Sequence, residues 1–127
     1  MAKKKTRSQL VKELDKVFSE FIRKRDIMLC GSSKCFTCGK VDDWRNLQCG
    51  HFQSRKHYAT RWDEQNCQVQ CAGCNVFRYG EQFKFGLNLD KKYGQGTAET
   101  LERMAQFTVK FSNSELEEKI NYYKQLI

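Results

Sequence analysis

The chain has 127 residues, 39% hydrophobic and 30% charged, with 23 basic against 15 acidic side chains and a net charge of +8. That length suits one ordinary domain with a single core. No apolar run approaches the roughly 20 residues of a membrane span, and no secretory h-region stands near Met1, which predicts a soluble protein held in the cytoplasm, not a membrane protein. The positive charge suits nucleic-acid phosphates, and equally an anionic membrane surface or an acidic protein partner.

Residues 1–7, with Lys3, Lys4 and Lys5, read as a basic flexible arm, either solvated or touching a DNA backbone. The single domain follows over 8–127. Leu10, Leu14, Val17, Phe18 and Phe21 fall at helical spacing, so a helix is predicted over 8–28 with that stripe facing the core.

From Cys30 onward the helical period disappears and Gly, Ser, Asn and Asp punctuate short apolar runs. Strands are expected over 47–52 and 67–70, joined by a polar connection over 53–65. A helix is expected to start near Ala72, with a pair of cysteines on its first turn. The segment 81–127 returns to helical patterning, broken by Gly86 and Gly94-Gln95-Gly96: helices over 81–92, over 97–108, and a last one carrying Leu116, Ile120 and Tyr123. Ser114 and Glu117 fit a capping box at its start. The chain has no proline, so helix stops rest on glycine.

Seven cysteines make an odd count for a disulfide framework, and a reducing compartment favours thiolate ligands. Four of them form Cys35-x2-Cys38 and Cys71-x2-Cys74, separated by 32 residues. Two such knuckles can wrap one tetrahedral Zn2+, and a closed four-thiolate site is structural because it has no open position. With zinc and four thiolates the net charge becomes about +6, still basic. Cys30, Cys49 and Cys67 lack this pairing and read as packing residues. Between the knuckles stand Gly50-His51-Phe52 and Asn66, and the basic excess clusters within or beside this segment as Arg55, Lys56, Arg61 and Arg78, the placement that favours DNA. Trp62 and Phe77 read as core residues, and His57 as a phosphate contact or a surface residue.

The segment from Cys35 to Gly80 resembles the NinG (also called Rap) family of phage recombination nucleases, a branch of the HNH or ββα-metal endonucleases. The likeness lies in Cys35-Phe36-Thr37-Cys38-Gly39, Gly50-His51-Phe52, Arg61-Trp62-Asp63-Glu64-Gln65-Asn66, and Gln70-Cys71-Ala72-Gly73-Cys74-Asn75 with Arg78 and Gly80. It continues weakly through Tyr93-Gly94. The resemblance implies an α+β fold: a small zinc-stapled ββα-metal core over 30–80, with an N-terminal helix and C-terminal helices.

It also implies a Mg2+- or Mn2+-dependent endodeoxyribonuclease that cuts branched or partly single-stranded DNA. His51 would be the general base and Asn66 would hold the His51 ring or its local backbone. Asn75 would be an oxygen ligand to the hard cation. Many HNH enzymes carry Asp immediately before the base, where this chain has Gly50, so Glu64 and then Asp63 are the candidate carboxylates. Arg55, Lys56, Arg61 and Arg78 would grip the DNA backbone without reading sequence. Symmetric cutting of two strands would call for a homodimer, and phage recombination proteins are the implied partners. The same residues also fit a non-catalytic zinc module that binds DNA, or an adaptor acting through the C-terminal helices, with His51 structural or a zinc ligand.

Overall fold

A computed structural model of the chain describes residues 4–127; Lys3 of the basic arm lies outside them. The order is helix α1 (Arg7–Lys24), hairpin β1 (Ser32–Lys34) and β2 (Val41–Asp43), strand β3 (Gln48–His51), short helix α2 (Tyr58–Arg61), strand β4 (Cys67–Gln70), and helices α3 (Gln82–Tyr93), α4 (Thr97–Ala105) and α5 (Asn113–Lys124). This is a mixed α+β fold with two separate two-stranded antiparallel sheets, β1-β2 and β3-β4. No helix among the described residues is long and apolar enough to cross a membrane.

Helix α1 starts at Arg7 because Thr6 caps it. The Thr6 hydroxyl accepts the Gln9 amide at 3.2 Å, and the Gln9 side chain accepts the Thr6 amide at 2.8 Å. This reciprocal pair satisfies two N–H groups that a helix start leaves orphaned. Lys5 pairs with Glu13, and α1 begins at Arg7, the last residue of the expected arm. The helix ends at Lys24, short of residue 28.

Helix α5 starts on the same chemistry. Its cap is Ser112 with Glu115, at 3.1 and 3.0 Å, and not Ser114 with Glu117 as expected. Both boxes are present in the sequence, and the earlier start adds backbone hydrogen bonds while keeping Leu116, Ile120 and Tyr123 buried.

Helices α1 and α5 pack together, and α1 lies against β3 and β4. Leu10, Leu14, Phe18 and Ile22 of α1 meet Leu116, Ile120 and Tyr123 of α5, together with Trp62 and Cys67. The rings of Phe18 and Tyr123 make a T-shaped contact at 4.9 Å, worth about 0.5–1.5 kcal/mol beyond area burial. A second cluster joins Leu47 and Val69 to Cys35, Cys71 and Cys74, and a third joins Phe85, Leu89 and Leu101 of α3 and α4 to Phe36 and Phe52. Asn88 of α3 donates to the Phe36 carbonyl at 2.8 Å, fastening the helices to the β1-β2 hairpin.

The expected helix at residue 72 is a single π-type turn, Gly73–Phe77. It stops because Tyr79, Gly80 and Glu81 all take positive φ, at 55°, 88° and 50°. Left-handed backbone costs non-glycine residues about 1 kcal/mol or more each, and here it turns the chain from the second knuckle into α3. The expected polar connection over 53–65 contains one turn of helix, α2.

Candidate metal centre and active-site cleft

The two knuckles sit on different elements and are brought together by hairpin geometry. Cys35 and Cys38 lie in the turn between β1 and β2, closed by the Cys35 amide to Lys40 carbonyl bond at 2.8 Å and the Gly39 amide to Cys35 carbonyl bond at 3.0 Å. Cys71 and Cys74 follow β4. All four sulfurs lie within 4.8 Å of one another, with Cys38 and Cys71 at 3.6 Å. Tetrahedral Zn–S bonds of about 2.3 Å put sulfurs somewhat under 4 Å apart, so the cluster could bind zinc. Backbone amides of Lys40 and Cys74 point at Cys38 and Cys71, at 3.4 and 3.5 Å. The Arg78 guanidinium lies 3.1 Å from the Cys74 sulfur, where it offsets thiolate charge.

Strand β3 carries His51 at its far end, opposite Cys67 of β4. The ring is half-buried. Its Nε2 lies 3.0 Å from the Arg61 carbonyl oxygen. A carbonyl can only accept, so Nε2 carries the proton and Nδ1 is the basic nitrogen of the neutral ring. Burial pulls the pKa below the ordinary imidazole value; the Arg61 carbonyl and the more distant Asp15 push it up, and the charges of Arg55 and Arg61 push it down. Burial prevails, and the ring is neutral near pH 7.

His51 borders an open cleft of about 740 Å3, also lined by Asp15, Ser54, Arg55, Asn75 and Gln82. Asn66 is fully buried. Its amide accepts from the Gln53 N–H at 2.7 Å and donates to the carbonyls of Gln53 and Thr60 at 3.1 and 3.0 Å. It therefore fixes the backbone on both sides of the loop after His51, and not the ring itself. Asn75 donates to the Gln48 side chain at 2.8 Å and keeps its carbonyl oxygen as a donor atom.

The carboxylates expected beside His51 are elsewhere. Glu64 accepts from the Tyr123 hydroxyl at 3.0 Å, and Asp63 accepts the backbone amides of Gln65 and Asn66 at 2.8 and 3.1 Å. Asp63 closes the turn between α2 and β4 and Glu64 reaches across to α5, and neither acid lines the cleft. The cleft carboxylate is Asp15 of α1, which sequence reasoning missed. An acid one position from the buried Leu14, on a helix whose stripe faces the core, was the available signal.

Arg61 is not free to grip DNA. Its side chain is only 14% exposed and forms a two-pronged pair with Asp15, at 3.1 Å from Nε and 2.5 Å from an Nη. It also donates to the Arg55 carbonyl at 2.8 Å. Arg78 is shared between Cys74 and Glu81. Arg55 and Lys56 stay exposed, and Arg55 borders the cleft. Trp62 is buried as expected, but Phe77 is 76% exposed, because the π turn directs it outward; Tyr79, 90% exposed, lies on the cleft rim.

The position before His51 has no room for a side chain while Gln70 holds its place. A Cβ on Gly50 would lie 1.8 Å from Gln70 Oε1. Gln70 is wholly buried and donates to Thr37 Oγ1 and the Gly80 carbonyl at 3.1 and 2.9 Å, tying the first knuckle to the turn after the second. Structure-building by Gln70 thus excludes an aspartate here.

The family model described as Bacteriophage Lambda NinG protein matches residues 1–127. Among curated proteins, the chain is 28% identical to Protein ninG of Escherichia phage 933W over 99 residues and 30% identical to Protein ninG of Enterobacteria phage H19B over 100 residues. Each match covers 77% of this chain and 47% of the relative. Protein ninG of Escherichia phage lambda is 27% identical over 99 residues, with 46% of its length covered. The chain thus spans about half the length of the curated relatives it matches. No solved structure matches it. A match over every residue, with the cysteine knuckles and the His51 hairpin inside it, establishes that the chain belongs to the NinG family of bacteriophage proteins.

Proposed function

We propose that the protein is a metal-dependent DNA endonuclease of HNH type, structure-selective for branched or partly single-stranded DNA and acting in the cytoplasm of a bacterial host. The observation that carries this reading is His51. Its imidazole is neutral, its tautomer is set by the Arg61 carbonyl, and it stands on the rim of a cleft beside Arg55. Those are the properties of a general base for water attack on a phosphodiester.

The ββα-metal reading is supported by β3 carrying His51, β4 following Asn66, and a turn with Asn75 after the second knuckle. Zinc in the four-cysteine cluster would clamp the β1-β2 turn to the end of β4, fixing the strand that bears the base. The oxygen donor in the cleft that suits a hard cation is the Asn75 amide, with water and substrate phosphate completing the shell, since the Asp15 carboxylate is already taken up by Arg61 and Trp62. When bound, Mg2+ or Mn2+ would neutralise charge on the phosphate and the leaving oxygen. Arg55 and Lys56 would draw in the backbone, and exposed Tyr79 and Phe77 offer faces on which unpaired bases can stack. That stacking fits a preference for single-stranded segments, and no contact in this reading selects a base sequence.

The test is incubation of the purified protein with plasmid and branched DNA, with and without Mg2+, Mn2+ and EDTA. The wild type is expected to cut only with a divalent ion, and His51→Ala to lower the rate by about 10²-fold or more at unchanged fold. DNA that is shifted but uncut in every condition would instead identify a zinc-containing binding or adaptor module. The engagement of Arg61 by Asp15 is what favours that second reading, since it removes one of the expected backbone contacts.

A further inference from the structure

His51 belongs to a second ligand cluster that its sequence neighbourhood does not announce. In the β3-β4 register His51 stands opposite Cys67 and Cys49 opposite Val69. Residues two apart on a strand share a face, so Cys49, His51 and Cys67 project to the same side. Their sulfur and ring-nitrogen atoms lie within 4.8 Å of one another. The sequence reading took Cys49 and Cys67 as packing residues; the hairpin register makes them a potential metal site.

We propose that Cys49, His51 and Cys67 form a second, soft-metal site, and that zinc bound there takes the general base out of action. Two thiolates and an imidazole are the donors that zinc prefers and hard cations avoid. The bond from Nε2 to the Arg61 carbonyl leaves Nδ1 to ligate, and a backbone carbonyl holding the other ring nitrogen is the common support of a metal-bound histidine. The Cys67 thiol donates to the same carbonyl at 3.4 Å. Binding displaces the two thiol protons to solvent and forms two Zn–S bonds and one Zn–N bond, with no redox change.

Cys49 and His51 both line the cleft, which gives an ion its entry and leaves the fourth position for water. Zinc here and a His51 acting as base are mutually exclusive, because both need the Nδ1 lone pair. The inhibitory part rests on the reading of His51 as the base; the metal site does not.

The experiment is cobalt(II) titration of the metal-free wild-type chain and of Cys49→Ser, followed by the thiolate-to-cobalt absorption, with cleavage assayed in parallel at fixed Mg2+ and rising zinc. The wild type is expected to take up two equivalents. Cys49→Ser is expected to take up one tightly, which also shows that its four-cysteine fold is intact. Cleavage by the wild type should fall at least tenfold as the second equivalent of zinc binds, while Cys49→Ser keeps its rate. A single equivalent in both proteins overturns the site, and two equivalents with undiminished wild-type cleavage overturn the inhibitory role. Should the wild type cut nothing in any condition, the nuclease reading falls, and the count of bound cobalt still decides the site.

Discussion

Asp15 and Arg61 lie 46 residues apart in sequence and form the ion pair that ties α1 to the backbone behind His51. Asp15 also accepts from the Trp62 indole N–H at 3.0 Å, so three bonds converge on one carboxylate. The carbonyl of Arg61 itself receives the His51 ring, and the Thr60 carbonyl, one residue back, receives Asn66. A helix that sequence reading assigned to packing thus positions the candidate base.

Replacing Asp15 tests that chain of contacts. Asp15→Asn keeps the shape and removes the charge, leaving a largely buried guanidinium without its partner, at a cost of about 1–3 kcal/mol. The melting temperature is expected to fall accordingly, and cleavage to fall further than the stability loss explains. A melting curve that superimposes on the wild type would sink this account of Asp15.

Gly50→Ala should destabilise the chain by roughly 1–3 kcal/mol, because the new methyl meets Gln70 at 1.8 Å. Gln70→Ala relieves the clash, so the double variant should recover part of the loss against the sum of the single ones. Denaturant midpoints for the four-protein cycle measure this coupling. Strict additivity would mean that Gln70 does not set the glycine requirement.

Cys74→Ser is expected to lose the zinc of the four-cysteine cluster, with a stability loss of roughly 4 kcal/mol or more, since metal binding and folding are one equilibrium in such sites. Metal analysis and far-ultraviolet circular dichroism provide the check. The buried Cys74 sulfur sits among Cys35, Leu47, Val69 and Cys71, so the β1-β2 turn should be the first part to loosen. Retention of stoichiometric zinc with an unchanged melt would refute the clamp.

Tyr123 gives the pH prediction. Burial first, then its bond to Glu64 and that carboxylate's charge, with smaller pushes from Tyr122 and Asp63, hold its pKa above the ordinary 10.0. A folded-state pKa raised above the unfolded one contributes stability that is intact below pH 10 and is lost as pH rises, because the unfolded phenol ionises first. The wild type should lose stability between pH 10 and about 12 more steeply than Tyr123→Phe. At pH 8 the variant should be only about 1 kcal/mol less stable. Parallel alkaline melting curves for the two proteins would contradict this.

Which parts were legible follows from the range of the forces involved. The α1 stripe and the helices after residue 81 follow from periodicity, a local property that backbone geometry enforces, and the strand at residues 67–70 follows from a short run bounded by polar residues. The knuckles follow from spacing, because two cysteines three apart can meet one ion without help from the rest of the chain. The capping box of α5 was misplaced by two residues because Ser112 and Ser114 offer the same local chemistry and only the wider hydrogen bonding chooses between them.

By itself, the sequence determined the long helices, the paired strands β3 and β4, the two cysteine knuckles and the candidacy of His51. Tertiary structure alone decided that Asp15, and neither Glu64 nor Asp63, borders the cleft, that Arg61 is held inside, and that Cys49 and Cys67 stand with His51. The physical reason is that charge pairing and strand register join residues far apart in the chain: a carboxylate's partner is whichever donor packing brings within about 3 Å, and no local pattern encodes that distance.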